Sequence, residues 1–264
     1  MPRIVINQQL TIYYRDNNPS GSPAVLLLHG LGVTSDSWIL QIPALAKAGF
    51  RVISPDIRGF GKSGYLDEHI SIATLSKDVF HLINALDIAP VHLVGISLGG
   101  VINLQTVLDE PQAILSATFI NAFAKLRPKR VRTWLYLAVR YLTLSLLGLP
   151  AQARIIGRSL FPDPDQQNLR QELYNQLITA NPIAYRRTIR ALARFDVRQR
   201  LSEIHTPILI ITGEQDTTVP VETQTILANG ILNSKHIIIP GAGHGVTVEK
   251  PDQVNNILLD FLRP

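Results

Sequence analysis

The segment Gly95-Ile96-Ser97-Leu98-Gly99-Gly100 sets one hydroxyl among glycines at the joint of two apolar runs. The run before it, "VHLVGIS", reads as a strand, and the run after it, "LGGVINLQTVL", as a helix, so Ser97 falls on the turn between them. A very tight strand-to-helix turn strains the serine backbone and crowds the neighbouring chain. Small residues two places before and two places after the serine relieve that crowding, and Gly95 and Gly99 hold those places. The hydroxyl is then held out of the turn, beside a helix N-terminus that favours negative charge. This is the arrangement of an activated serine nucleophile. Taken alone, the same pattern also fits a glycine-rich helix start that packs closely or cradles a phosphate.

A serine nucleophile needs a base, and the base needs a group to orient it. "PILIITGEQDTTVP" supplies Asp216 after a late apolar run, and "IIIPGAGHGVTVEKP" supplies His244 after the last one. The chain order Ser97, Asp216, His244 is the order that a nucleophile on such a turn requires. His244 would take the Ser97 proton and return it to the leaving group, while Asp216 would fix the tautomer and stabilise the imidazolium. An oxyanion formed at the attacked carbonyl needs N–H donors. The backbone N–H of Leu98, directly after the nucleophile, is one. The backbone N–H of Leu31, in "LLLHGLG" after an earlier run, is the other. His29 in that loop is read as a structural residue that bonds the loop.

The elements that must position these groups are legible as alternating patterns. "RIVIN" and "LTIYYRD" flank Gln8-Gln9 as a hairpin. "AVLLLHG", "RVISPD", "VHLVGIS", "ATFINA", "PILIITG" and "KHIIIPG" are continuous apolar runs, suited to parallel strands covered on both faces. Helical patterns lie between them, over residues 36–48, 71–86, 98–108 and 252–262. The expected class is α/β, a mostly parallel central sheet flanked by helices. The alternation stops between Phe123 and Ser202, where helical patterns are punctuated by Pro128, Pro150, Pro162, Pro164 and Pro182. The expected organisation is therefore a core made of residues 1–122 and 203–264, with residues 123–202 inserted as a helical cap.

Charge follows the same division. Lys125 to Arg200 holds 15 Lys/Arg and 4 Asp/Glu, a net of +11, and the rest holds 10 and 16, a net of −6. Such a block attracts nucleic acid, an anionic membrane surface or an anionic substrate. No aromatic-rich RNA-binding signature, zinc-finger or basic-zipper pattern accompanies it, so nucleic acid is not expected. The apolar run Trp134 to Leu149, with Trp134, Tyr136 and Tyr141, is read as cap packing with a few pocket-lining side chains. An apolar helix beside "KLRPKRVR" has the composition of one that lies on anionic lipid, though a solubilising basic face has it too. The 264 residues contain no cysteine, which excludes disulfides and thiolate metal sites. Their histidines show no metal-ligand spacing. No metal or cofactor is expected. No apolar run has the length of a membrane span, and "MPRIVINQQL" lacks the apolar core of a signal peptide, so a cytoplasmic protein is expected, with peripheral membrane contact through the basic cap left open beside a merely solubilising face.

The set His29-Gly30-Leu31-Gly32, "DIRGFGKS" (Asp56 to Ser63), the Ser97 turn, "GEQDTTVP" and "GAGHGV" resembles the α/β-hydrolase fold superfamily, in its serine-nucleophile, esterase- and lipase-like branch. The resemblance implies a structural turn at Asp56 and Arg58 rather than a catalytic role. It disfavours dehalogenation and epoxide opening, for which relatives carry an aspartate nucleophile. Some relatives place the acid after the strand before the cap; here that position is Asn121, which leaves Asp216, with Glu214 second. The resulting expectation is a carboxylic-ester hydrolase acting on hydrophobic or lipid-like esters through an acyl-enzyme. Enol-lactone hydrolysis stays open beside it. Carbon–carbon bond hydrolysis is weakened by Ile96, where such relatives often carry asparagine. A non-catalytic binding protein on the same scaffold is the remaining alternative.

Overall fold

The computed structural model describes residues 2–7, 9–126 and 131–263, with the side chains of 131–138, 140 and 141 outside that description. Eight strands form one sheet: β1 (Arg3–Ile6), β2 (Leu10–Asn17), β3 (Ala24–Leu28), β4 (Arg51–Pro55), β5 (Val91–Ile96), β6 (Ile114–Ile120), β7 (Ile208–Gly213) and β8 (Ser234–Ile239). Their order is β1-β2-β4-β3-β5-β6-β7-β8. The β1–β2 hairpin is antiparallel and joins β4 antiparallel; every pairing from β4 through β3 to β8 is parallel. All the loops that follow β3, β5, β6, β7 and β8 therefore leave from one edge.

Continuous apolar runs form these strands because both faces are covered. Leu26, Leu28 and Leu93 point into one core and Val25, Leu27 and Val94 into the other, all inaccessible to solvent. The covering helices are α1 (Ile42–Lys47), α2 (Ile72–Ala85), α3 (Leu98–Asp109), α7 (Val221–Gly230), α8 (Val246–Glu249) and α9 (Pro251–Leu262). Helix α2 starts at Ser71, whose side chain accepts from the Thr74 N–H. The helix expected over 36–48 is instead a 3₁₀ turn, Ser35–Trp38, followed by the short α1. Pro43 has no N–H to continue a helix from the preceding turn, and it sits in the first turn of a new one.

Between β6 and β7 the chain is helical: α4 (Val131–Leu160), α5 (Gln167–Leu177) and α6 (Pro182–Arg194). Helix α4 breaks at Gly148, whose φ is 74°, just before Pro150. Leu144, Leu149, Ala153 and Ile156 are buried in the same core as Leu98 and Ala122. No helix among the described residues is long and apolar enough to cross a membrane.

Candidate active site

Ser97 stands at the end of β5 as the residue before α3, with φ 53° and ψ −111°. A non-glycine residue in that region is strained, and surrounding structure must hold it there. Its N–H donates to the Ile120 carbonyl (2.8 Å), and its carbonyl accepts from the Val101 N–H (3.0 Å). The glycines act as the spacing requires. A Cβ at Gly99 would lie 2.1 Å from the Leu28 carbonyl oxygen, and one at Gly95 would lie 2.4 Å from the Gly99 carbonyl carbon. A Cβ at Gly100 would lie 2.6 Å from the Ala122 Cβ. Helix α3 thus starts against the ends of β3 and β5, closer than any side chain permits.

The loops after β7 and β8 are zipped together. Glu214 N–H donates to the Ile239 carbonyl (3.1 Å) and Gln215 N–H to the Ala242 carbonyl (2.8 Å). Gly213 allows the approach, since a Cβ there would lie 2.2 Å from the Gly243 carbonyl oxygen. These contacts bring Asp216 and His244 into direct contact, with His244 Nδ1 2.7 Å from Asp216 Oδ2. Asp216 Oδ1 accepts from the N–H groups of Thr218 and Val219, both at 2.8 Å. That carboxylate is fully enclosed, whereas the imidazole keeps an 11% exposed edge. Glu214, the second choice for the acid, accepts from the Gly241 N–H (2.9 Å).

Asn121 ties the two halves of the site, a role the sequence pattern does not disclose. It follows β6 with φ 48° and is buried. Its Nδ2 donates to the carbonyls of Gly243 (3.1 Å) and His244 (2.9 Å), while its Oδ1 accepts from the Gly213 N–H (2.9 Å). The residue before it, Ile120, receives the Ser97 N–H. The Asn121 side chain thus fixes the His244 loop against the end of β7, which carries Asp216, and its neighbour Ile120 takes the Ser97 N–H.

Leu31 lies half-buried in the loop after β3, and Leu98 is the buried first residue of α3, where helix geometry leaves an N–H without an intrahelical acceptor. His29 is enclosed; its Nδ1 lies 2.8 Å from the Gly30 carbonyl and its Nε2 accepts from the Ile57 N–H (2.9 Å). Burial pushes its basicity down. Both nitrogens are engaged by backbone groups, one in its own loop and one in the loop after β4, which is a structural arrangement. Asp56 accepts from the N–H groups of Ser35 (2.7 Å) and Lys62 (2.8 Å), and Arg58 pairs with Asp78 and Glu68, which makes this stretch a structural turn. Helices α5 and α6 reach the loop after β3: a Cβ at Gly32 would touch Tyr185 and Leu177. Trp134, Tyr136 and Tyr141, expected near the substrate, fall on α4, and their side chains lie outside the description.

The chain belongs to the alpha/beta hydrolase fold family, whose model matches residues 23–251, and it is an α/β-hydrolase enzyme. Over 259 residues it is 32% identical to the Variovorax paradoxus (strain S110) protein named "Putative carbamate hydrolase RutD", covering 96% of each chain. It is 29% identical over 260 residues to 3-oxoadipate enol-lactonase 1 of Acinetobacter baylyi, covering 98% of this chain and 96% of that one. In fold it matches the enol-lactonase of Burkholderia xenovorans LB400 with a TM-score of 0.89 at 24% identity, over 99% of each chain.

Proposed function

We propose that this protein is a serine hydrolase that opens ester-type acyl bonds of small molecules, lactones foremost, with Ser97, His244 and Asp216 as its triad. The observation that carries the reading is the enclosed Asp216 bonded to His244 at the strand edge from which the strained Ser97 leaves. Ser97 Oγ attacks the carbonyl carbon while His244 Nε2 takes its proton, and Asp216 holds Nδ1–H and stabilises the imidazolium. The N–H groups of Leu31 and Leu98 receive the oxyanion. Collapse breaks the C–O bond, and the imidazolium protonates the departing oxygen, which in a lactone stays tethered to the acyl chain. A water deprotonated by His244 then attacks the acyl-enzyme, releasing the opened acid and restoring Ser97.

Similarity to an enol-lactonase supports a compact cyclic ester over the long-chain ester that composition alone favours. Carbamate cleavage is the second reading, supported by the name of the 32% identical relative; the same steps would pass through a carbamoyl-serine. Residues 123–202 serve as the cap, supported by the packing of α5 and α6 over the loop after β3. The exposed Val139, Leu142, Leu146 and Leu147 of α4, within the basic block, support contact of that cap with anionic lipid. The deciding experiment compares kcat/KM for enol-lactones, carbamates and p-nitrophenyl esters of rising acyl length in the wild type and Ser97→Ala. Lactone turnover that exceeds the others and vanishes in Ser97→Ala is expected. Turnover that survives the substitution would remove Ser97 as nucleophile, and a carbamate preference would establish the second reading.

A further inference from the structure

His244 is flanked by two glycines, and the structure shows what occupies the space they leave. Glu249, the last residue of α8, folds back so that its carboxylate spans the His244 backbone. Oε2 accepts from the Gly243 N–H (2.5 Å) and Oε1 from the Gly245 N–H (3.0 Å). A side chain at either glycine would press on this carboxylate. A Cβ at Gly243 would lie 3.1 Å from Glu249 Oε1, and one at Gly245 would lie 3.0 Å from it and 2.7 Å from the Phe161 ring. Phe161, just past the end of α4, packs against the same loop at Gly245.

We propose that Glu249 is a second positioning carboxylate for His244. It grips the N–H groups on either side of the imidazole and adds its negative charge to that of Asp216, so that the base is held between two acids. The inference rests on the reading of His244 as general base. A neutral group of the same shape cannot replace it: a glutamine offers one oxygen, and its NH₂ would face the second backbone N–H. The same surroundings act on the acidity of the Glu249 carboxyl. Burial pushes its acidity down and the Asp216 charge adds to that, while the two N–H donors and His244 oppose them; the net direction is an upward shift. The titratable groups that face it are His244 and Asp216, and Phe161 contributes only an apolar wall.

The decisive measurement is the imidazole titration of His244, read by NMR in the resting protein, which needs no substrate and no nucleophile. Glu249→Gln is expected to titrate His244 at lower pH than the wild type does, because an opposite charge near the imidazolium is lost. The ascending limb of the kcat/KM profile is expected to move to lower pH by the same amount, with kcat reduced and KM unchanged. Glu249→Asp keeps the charge on a shorter stem. It is expected to move the Gly243 and Gly245 amide resonances, to shift His244 less than the glutamine does, and to recover part of kcat. A folded Glu249→Gln whose His244 titrates as in the wild type overturns the proposal. If that variant does not fold, Glu249→Asp with both amides and His244 unmoved overturns it instead. Failure of Ser97→Ala to abolish turnover would count against the nucleophile and leave this titration result standing.

Discussion

Replacing Asp216 by asparagine changes one atom and tests the whole site. The carboxylate has three donors to satisfy: His244 Nδ1–H on Oδ2, and the N–H groups of Thr218 and Val219 on Oδ1. Asparagine carries one oxygen and one NH₂. If the oxygen faces the two backbone donors, the NH₂ meets Nδ1, which must then be an acceptor. The ring proton moves to Nε2, and the nitrogen that should take the Ser97 proton no longer can. If the oxygen faces His244, the NH₂ is pressed against two backbone N–H groups in an enclosed position. The first arrangement leaves one mismatch avoided by a tautomer change and the second leaves two, so the first wins. The expected result is an unchanged fold and a kcat lower by about 10⁴-fold, as for a triad base locked in the wrong tautomer. That loss corresponds to about 5 kcal/mol in the barrier. The assay is hydrolysis of a lactone or p-nitrophenyl ester, with circular dichroism to confirm folding. A folded variant that loses less than about tenfold would refute the orienting role of Asp216.

Other outcomes follow from the same geometry. Fluorophosphonate labelling is expected at Ser97 alone and to be lost in Ser97→Ala; mass spectrometry of the labelled peptide checks it. Gly99→Ala places a Cβ 2.1 Å from the Leu28 carbonyl and is expected to destabilise by about 3 kcal/mol or more, measured by urea unfolding, because backbone atoms cannot yield as a side chain does. His92 is bonded to Ser116 (2.7 Å), and burial lowers its pKa to about 4. The unfolded chain therefore takes up this proton below about pH 6.5 while the folded one resists it, and stability is expected to fall from pH 6.5 toward pH 4 by on the order of 3 kcal/mol. His92→Asn is expected to flatten that slope. Flotation with anionic vesicles at low salt is expected to carry the protein up, and neutral vesicles are not; equal absence from both removes the membrane contact.

Much of this was legible in the residues, and the reasons are physical. Strands buried on both faces have no alternation to hide, so "AVLLL" and "VHLVGI" announce themselves as central parallel strands. Parallel strands share an edge, so a place just past three of them already sets Ser97, Asp216 and His244 along one rim of the sheet. The glycines at 95 and 99 were readable because a steric demand at a fixed offset leaves a mark in sequence. The first helix after β3 was less so: its apolar spacing ran through Pro43, and a missing N–H overrode the periodicity.

Asn121 and Glu249 escaped for a different reason. Each acts through backbone groups, Asn121 on a distant loop and Glu249 on the loop just before its own helix, and a backbone N–H or carbonyl is the same for every residue type that bears it. In the sequence Asn121 marks only a position that lacks a carboxylate, yet it is the amide that suits the place. It must donate to the carbonyls of Gly243 and His244 and accept from the Gly213 N–H at once, and only a side chain with both donor and acceptor does so. An aspartate there would accept from Gly213 but turn a second oxygen toward two carbonyls. The expected effect of Asn121→Asp is therefore a loosened His244 loop and weaker catalysis, with no transfer of the acid's role to position 121. Measuring kcat in Asn121→Asp and in Asn121→Asp combined with Asp216→Asn separates the possibilities. Activity restored in the double variant relative to Asp216→Asn would mean that position 121 can orient the base; loss in both is what the hydrogen-bond pattern demands.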